Sequence, residues 1–145
     1  ICNQILAQAV LAGMKEDGFG RIINVISTSV KQPLDNLGVS NTIRGAVASW
    51  AKTLANELGQ FNITVNNVLP GATATERLAA IIAADAVRNN SSEAASAAKM
   101  QSTVPMRRFA EPNEVGAAVA FLASPAAGYI NGVNLPVDGG RTKSL

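Results

Sequence analysis

Two short β-branched runs, each largely apolar on both faces, constrain this chain more than any other feature. Arg21-Ile22-Ile23-Asn24-Val25-Ile26 lies between Gly20 and the hydroxyl cluster Ser27-Thr28-Ser29, and Ile63-Thr64-Val65-Asn66-Asn67-Val68-Leu69 is ended by Pro70-Gly71. Strands with no solvent face belong to parallel sheets covered by helices on both sides. Helical patterns surround them. Over residues 1–15, Ile1, Ile5, Leu6, Val10 and Met14 form a stripe of helical period, and Gly18 follows where a C-terminal cap belongs. Over 39–58, Ile43, Val47, Trp50, Leu54 and Leu58 predict the sheet-facing stripe of a long helix stopped by Gly59. Beyond Pro70-Gly71 the pattern predicts two Ala-rich helices, over 76–87 and 92–101, with 87–97 the most mobile stretch. A further helix opens at Glu111-Pro112, carries Val115, Val119 and Leu122, and closes near Ser124-Pro125. A last strand covers 133–137 and ends in the turn Asp138-Gly139-Gly140. This alternation predicts an α/β fold, a doubly wound parallel sheet with helices on both faces, without repeats or an interdomain linker.

What is missing narrows the chemistry. Of the 145 residues 15% are charged, below the roughly 25% usual for soluble domains, so disorder is not expected. No apolar run reaches the ~18 residues of a membrane span. The opening Ile1-Cys2-Asn3-Gln4 has neither a basic region nor a cleavage site, and without an initiator Met it implies missing upstream sequence. There is no histidine, which excludes Ser-His-Asp triads, Cys-His pairs and His-based metal sites, so no metal is expected. The single cysteine, Cys2, cannot form an internal disulfide, in keeping with a reducing cytoplasm. Net charge is +2 with scattered basic residues, so neither nucleic acid nor a membrane surface is an expected partner. Hydroxyls, carboxylates, amines, guanidinium groups and the backbone remain.

In open α/β sheets ligands bind beyond the carboxyl ends of the strands. Three clusters fall there: Ser27-Thr28-Ser29, Pro70-Gly71-Ala72-Thr73-Ala74-Thr75, and Ser40-Asn41-Thr42-Ile43-Arg44, where Ser40 and Arg44 share one helix face. Hydroxyls after a strand also serve as turn or N-cap residues, and an Arg on a helix face as a solvated charge. Spacing alone supports a sheet-edge site and no specific reaction.

Gly20-Arg21-Ile22-Ile23-Asn24-Val25-Ile26-Ser27, Ile63 through Gly71, Val137-Asp138-Gly139-Gly140, and Arg108-Phe109-Ala110-Glu111-Pro112-Asn113-Glu114-Val115 through Phe121-Leu122-Ala123-Ser124 closely resemble the short-chain dehydrogenase/reductase family. The nearest resemblance is to its 3-oxoacyl-acyl-carrier-protein-reductase-like branch. It spans essentially residues 1–145 and implies the C-terminal part of one Rossmann-like domain. The glycine-rich dinucleotide turn would lie outside the chain, since Gly18-Phe19-Gly20 follows a helix rather than a strand.

The resemblance implies an NAD- or NADP-dependent oxidoreductase acting on a small-molecule carbonyl or alcohol. Ser27 matches the serine that polarises the substrate carbonyl. Ser40 stands where the family has its proton-transferring tyrosine, and Arg44 where it has the lysine that lowers the tyrosine pKa and holds the nicotinamide ribose; the family's additional asparagine would fall just before Ile1. Serine ionises far less readily than tyrosine, and arginine stays protonated, so Arg44 can bind a ribose but not relay a proton. Water, Lys31 or Asp35 are the remaining proton sources, while the sole tyrosine, Tyr129, is implied to be structural. The backbone at Thr73, after Pro70-Gly71, is implied to hold the nicotinamide carboxamide and the hydroxyl of Thr75 to support the carboxamide or the pyrophosphate, with the two following helices forming a substrate lid. A second reading is a catalytically impaired member that binds nucleotide or serves as an oligomeric subunit. Small residues Gly45, Ala48, Ser49 and Ala55 on the long helix, with Ala7 and Ala12 on the first, predict a homo-oligomer, dimer or tetramer, paired across the long helix.

Overall fold

The computed structural model describes residues 2–144. In chain order the elements are α1 (Cys2–Glu16), β1 (Gly20–Val25), a 3-10 turn (Thr28–Val30), α2 (Gly38–Leu58), β2 (Ile63–Pro70), α3 (Glu76–Arg88), α4 (Glu93–Ser102), α5 (Pro112–Ala123) and β3 (Asn134–Val137). The three strands form one parallel sheet in the order β1-β2-β3. β2 lies in the centre and is buried from Ile63 to Leu69, as its two-sided apolar pattern requires. Pro136, which lacks an N–H, sits opposite Leu69 on β3, with β2 on one side of that strand and no further strand on the other among the described residues.

Helices cover both faces. Ile63 and Val65 pack against Ala7 of α1 and Ala51, Leu54, Ala55 and Leu58 of α2, and Leu69 packs with Ala48. On the opposite face Val68 meets Leu122 of α5 and Ala127. Trp50 Nε1 donates to Gln4 Oε1 at 2.7 Å, joining α2 to α1.

The predicted stripes are partly rotated. In α2 the predicted Leu54 and Leu58 are buried and Val47 and Trp50 pack against the core, but the buried face also takes in Ala48, Ala51 and Ala55, and Ile43 is 59% exposed. In α1 the packed residues are Ala7, Leu11 and Met14, while Ile5, Leu6 and Val10 face outward and Ile1 lies outside the described residues. Alanines on the inward face let each helix lie close to the sheet, so large side chains beside them are left outside. Ala7, Ala48 and Ala55 are therefore core residues and unavailable to an interface. The 87–97 stretch comprises the end of α3, a short turn and the start of α4: Asn90 takes a left-handed conformation, and Ser92 Oγ accepts from Ala95 N at 3.1 Å to cap α4.

The buried asparagines of the strands find partners in one another or in the backbone. Asn3 Nδ2 donates to Asn24 Oδ1 at 3.0 Å, Asn24 Nδ2 to Asn67 Oδ1 at 3.0 Å, and Asn67 Nδ2 to Asn134 Oδ1 at 2.8 Å. The ladder is possible because Asn24, Asn67 and Asn134 are in register across the three strands. On the other face Asn66 Nδ2 donates to Ile130 O at 2.8 Å, and Asn66 Oδ1 accepts from Val133 N at 3.1 Å.

The start of α5 is fixed by Glu114, which accepts from Glu111 N at 2.7 Å and from Arg108 through both carboxylate oxygens, at 2.6 and 2.7 Å. The Arg108 hydrogen bonds, with that backbone bond second, lower the Glu114 carboxyl from 4.5 to about 2. A depressed folded-state pKa contributes stability above the unfolded value and loses it as pH falls through the folded one. Glu114→Gln is expected to melt at a lower temperature than the wild type at pH 7, the gap closing between about pH 4.5 and 2 in thermal denaturation. A gap independent of pH would refute this role.

Candidate active site

Ser27 is carried to the carboxyl edge of the sheet by β1, whose register extends one residue further through Ile26 N donating to Val68 O at 2.9 Å. The Ser27 backbone is extended, and its Oγ accepts from Ser29 N at 3.1 Å, capping the 3-10 turn. The hydroxyl thus does the ordinary capping work and keeps its own proton for another acceptor. Ser27 lines a cavity of about 520 Å³ together with Pro70, Gly71, Thr73 and Thr75, so the first two sequence clusters do meet. Leu78 and Ile81 of α3 and Met100 of α4 line it as well, so both helices border the cavity.

The Pro70-Gly71 turn is shaped by packing against the end of β3. Gly71 N donates to Val137 O at 2.9 Å, and a Cβ on Gly71 would fall 2.8 Å from Asp138 Cα, so only glycine fits. Ala110 N donates to Ala72 O at 2.9 Å and Ala74 N to Ala110 O at 2.8 Å, clamping both sides of Thr73. The Thr73 N–H itself has no partner among the described residues, while its Oγ1 donates to Gly71 O at 3.2 Å. Thr75 Oγ1 donates to Thr73 O at 3.3 Å and accepts from Leu78 N at 3.4 Å, so much of its capacity is spent on capping α3.

Ser40 and Arg44, one turn apart on α2, line a second cavity of about 720 Å³ with Asn3, Val25, Ile26 and Ile43. Arg44 Nε donates to Ser40 Oγ at 3.2 Å and Arg44 Nη1 to Ile26 O at 2.6 Å. The third sequence cluster therefore opens on a different cavity from Ser27, and the two share Leu37. Arg44 holds the carbonyl of the residue just before Ser27, a charge-assisted bond that fixes the strand end from which the hydroxyl projects. Sequence spacing pairs Ser40 with Arg44 but gives no sign of this bond to Ile26.

Of the remaining proton sources, Asp35 lines the Ser27 cavity and Lys31 does not. Tyr129, implied to be structural, is fully exposed and packs no core cluster, because it follows the turn after α5 on the outer surface. Among the described residues no group of three or more His, Cys, Asp or Glu side chains is placed to hold a metal ion, and no helix is long and apolar enough to cross a membrane.

Residues 4–142 match the family described as enoyl-(acyl carrier protein) reductase. The NADPH-dependent reductase BacG of Bacillus subtilis is 35% identical over 132 residues, covering 91% of this chain and 51% of that protein. The 3-oxoacyl-[acyl-carrier-protein] reductase FabG of Vibrio cholerae is 39% identical over 137 residues, covering 93% and 51%. The chain belongs to the short-chain dehydrogenase/reductase family. Solved structures of the family carry the same fold. YwfH, an NADPH-dependent reductase involved in bacilysin biosynthesis, matches with a TM-score of 0.92 at 31% identity, over 99% of this chain and 55% of that one. L-sorbose reductase from Gluconobacter frateurii, complexed with NADPH and L-sorbose, matches with a TM-score of 0.89 at 32% identity, over 97% and 54%. The chain spans about half the length of the curated relatives it matches.

Proposed function

We propose that this short-chain dehydrogenase/reductase chain supplies the substrate and nicotinamide side of an NAD(P)-dependent oxidoreductase that reduces a carbonyl or oxidises a secondary alcohol. In this reading residues 1–145 are the C-terminal part of one Rossmann-like domain. The observation that carries it is the Ser27 cavity, where a hydroxyl with an uncommitted proton stands in one pocket with the unpartnered N–H of Thr73. These groups suit a nicotinamide nucleotide: Thr73 N–H matches a carboxamide oxygen, and Arg44 Nη2, free of the bonds made by Nε and Nη1, matches a ribose hydroxyl. When bound, the nicotinamide supplies or takes up the hydride. Ser27 donates its hydrogen bond to the carbonyl oxygen and stabilises the charge that develops there. Arg44 acts as a fixed cation. Neither cavity lining contains a tyrosine, so in this reading the proton that completes the alcohol comes from water or by way of Asp35, which lines the Ser27 cavity.

Installing the family's usual pair tests this proton route. A tyrosine held beside a lysine is a competent general acid, a role worth about 100-fold or more. Ser40→Tyr/Arg44→Lys in the full-length protein is expected to raise turnover by about that factor. High native turnover left unchanged by the pair would contradict it. No turnover before or after would favour the impaired, nucleotide-binding reading.

The assembly follows from surface left uncovered. Ile5, Leu6 and Val10 on α1 and Val39 and Ile43 on α2 are exposed in this chain, and this apolar surface supports the proposed contact. With Ala7, Ala48 and Ala55 committed to the core, the proposed twofold contact uses these larger residues beside Gly45, Ser49 and Ala12. Sedimentation of the full-length protein at micromolar concentration is expected to show a dimer or tetramer, and a monomer would refute it. The single free, exposed thiol of Cys2 suits a reducing cytoplasm.

A further inference from the structure

The Ser27 cavity holds more positive charge than carbonyl chemistry alone requires. Arg77, in the first turn of α3, and Arg141, just beyond the Asp138-Gly139-Gly140 turn, both line it. Neither guanidinium has a hydrogen bond or an ion pair among the described residues. Asp35 is the one carboxylate of the lining, and it pairs with neither. Arg141 also borders an adjoining cavity of about 460 Å³, whose lining adds Lys143 and no carboxylate.

The main chain around Arg141 is held in place. Asp138 accepts from Gly140 N at 3.0 Å and from Thr142 N at 2.8 Å, fixing the main chain on both sides of it. Among the described residues Asp138 makes no ion pair with the Arg141 guanidinium. The rest of the wall includes Leu34, Ile81 and Met100. Beside an apolar wall a guanidinium pairs with an oxyanion more strongly than it does in open water, and its planar fork matches carboxylate and phosphate oxygens.

We propose that the carbonyl or alcohol substrate carries an anionic group, carboxylate or phosphate, received by Arg77 and Arg141 while Ser27 holds the reacting oxygen. This rests on the reading of Ser27 as the carbonyl-binding hydroxyl. The test uses the full-length protein and two probe pairs that differ in charge at a constant carbonyl: levulinate with its methyl ester, and dihydroxyacetone phosphate with dihydroxyacetone. Affinity is measured by calorimetry, and hydride transfer by the loss of NADPH or NADH absorbance. In at least one pair the charged member is expected to bind about tenfold or more tightly, and the pair that shows the preference distinguishes carboxylate from phosphate. Arg77→Gln and Arg141→Gln are each expected to remove most of that preference, while Arg77→Lys retains part of it. Equal affinities in both pairs, or a preference that survives the double Gln variant, would overturn the proposal. Charge preference without hydride transfer to any probe supports the anion site and counts against the reading of Ser27. Equal reduction of charged and neutral probes does the reverse.

Discussion

Ser27→Ala in the full-length protein is expected to lower kcat/KM for carbonyl reduction by about 100-fold to 1,000-fold. That is the loss seen when one preorganised donor to a developing oxyanion is removed. The serine also caps the 3-10 turn through Ser29 N, so the same change costs stability of about 1 kcal/mol, the usual worth of a capping hydroxyl. The two effects separate cleanly. Ser27→Thr keeps the hydroxyl and should keep most of the activity, whereas a loss below about tenfold for Ser27→Ala would remove the serine from the chemistry. Steady-state kinetics alongside a thermal melt checks both.

The second large effect is structural. Asn67 receives the Asn24 amide and donates to Asn134, so Asn67→Ala leaves a buried donor on one side and a buried acceptor on the other without partners. Each orphaned group costs about 1–3 kcal/mol, giving an expected loss of about 3 kcal/mol in denaturant unfolding. Asn24→Ala combined with Asn67→Ala should cost less than the sum of the singles, because the donor orphaned by one substitution is removed by the other. A coupling of about 1 kcal/mol is expected for groups in one network. Strict additivity, or a single-variant cost within about 0.5 kcal/mol, would show that the ladder is incidental.

Much of the fold is legible in the sequence because two-sided apolar strands and helical stripes are local signals. Ile63 to Leu69 reads as a buried strand from its two-sided apolar pattern, and β2 is buried over those residues. The orientation of the helices is less legible. Pattern reading finds Leu54 and Leu58 but favours Ile43 over Ala48, Ala51 and Ala55, yet close approach to a sheet selects the small residues. The site follows the same division. Ser27 and the Pro70–Thr75 turn are found from strand ends, and the structure does bring them into one cavity. The bond from Arg44 to Ile26 O depends on the side-chain direction of a helix lying over the strand, which spacing does not encode. The asparagine ladder needs the register of three strands far apart in the chain, and the presence of Arg77 and Arg141 in one cavity lining needs α3 and the segment after Gly140 to border the same space.

The central claim is hydride transfer to a carbonyl held by Ser27. The most direct measurement incubates the full-length protein with a ketone substrate and NADPH or NADH deuterated at the transferable position, followed by mass spectrometry of the alcohol. The account predicts one deuterium in the product from the native protein and about a hundredfold slower label transfer in Ser27→Ala. Unlabelled alcohol, or label transfer that proceeds equally fast without the Ser27 hydroxyl, would contradict it.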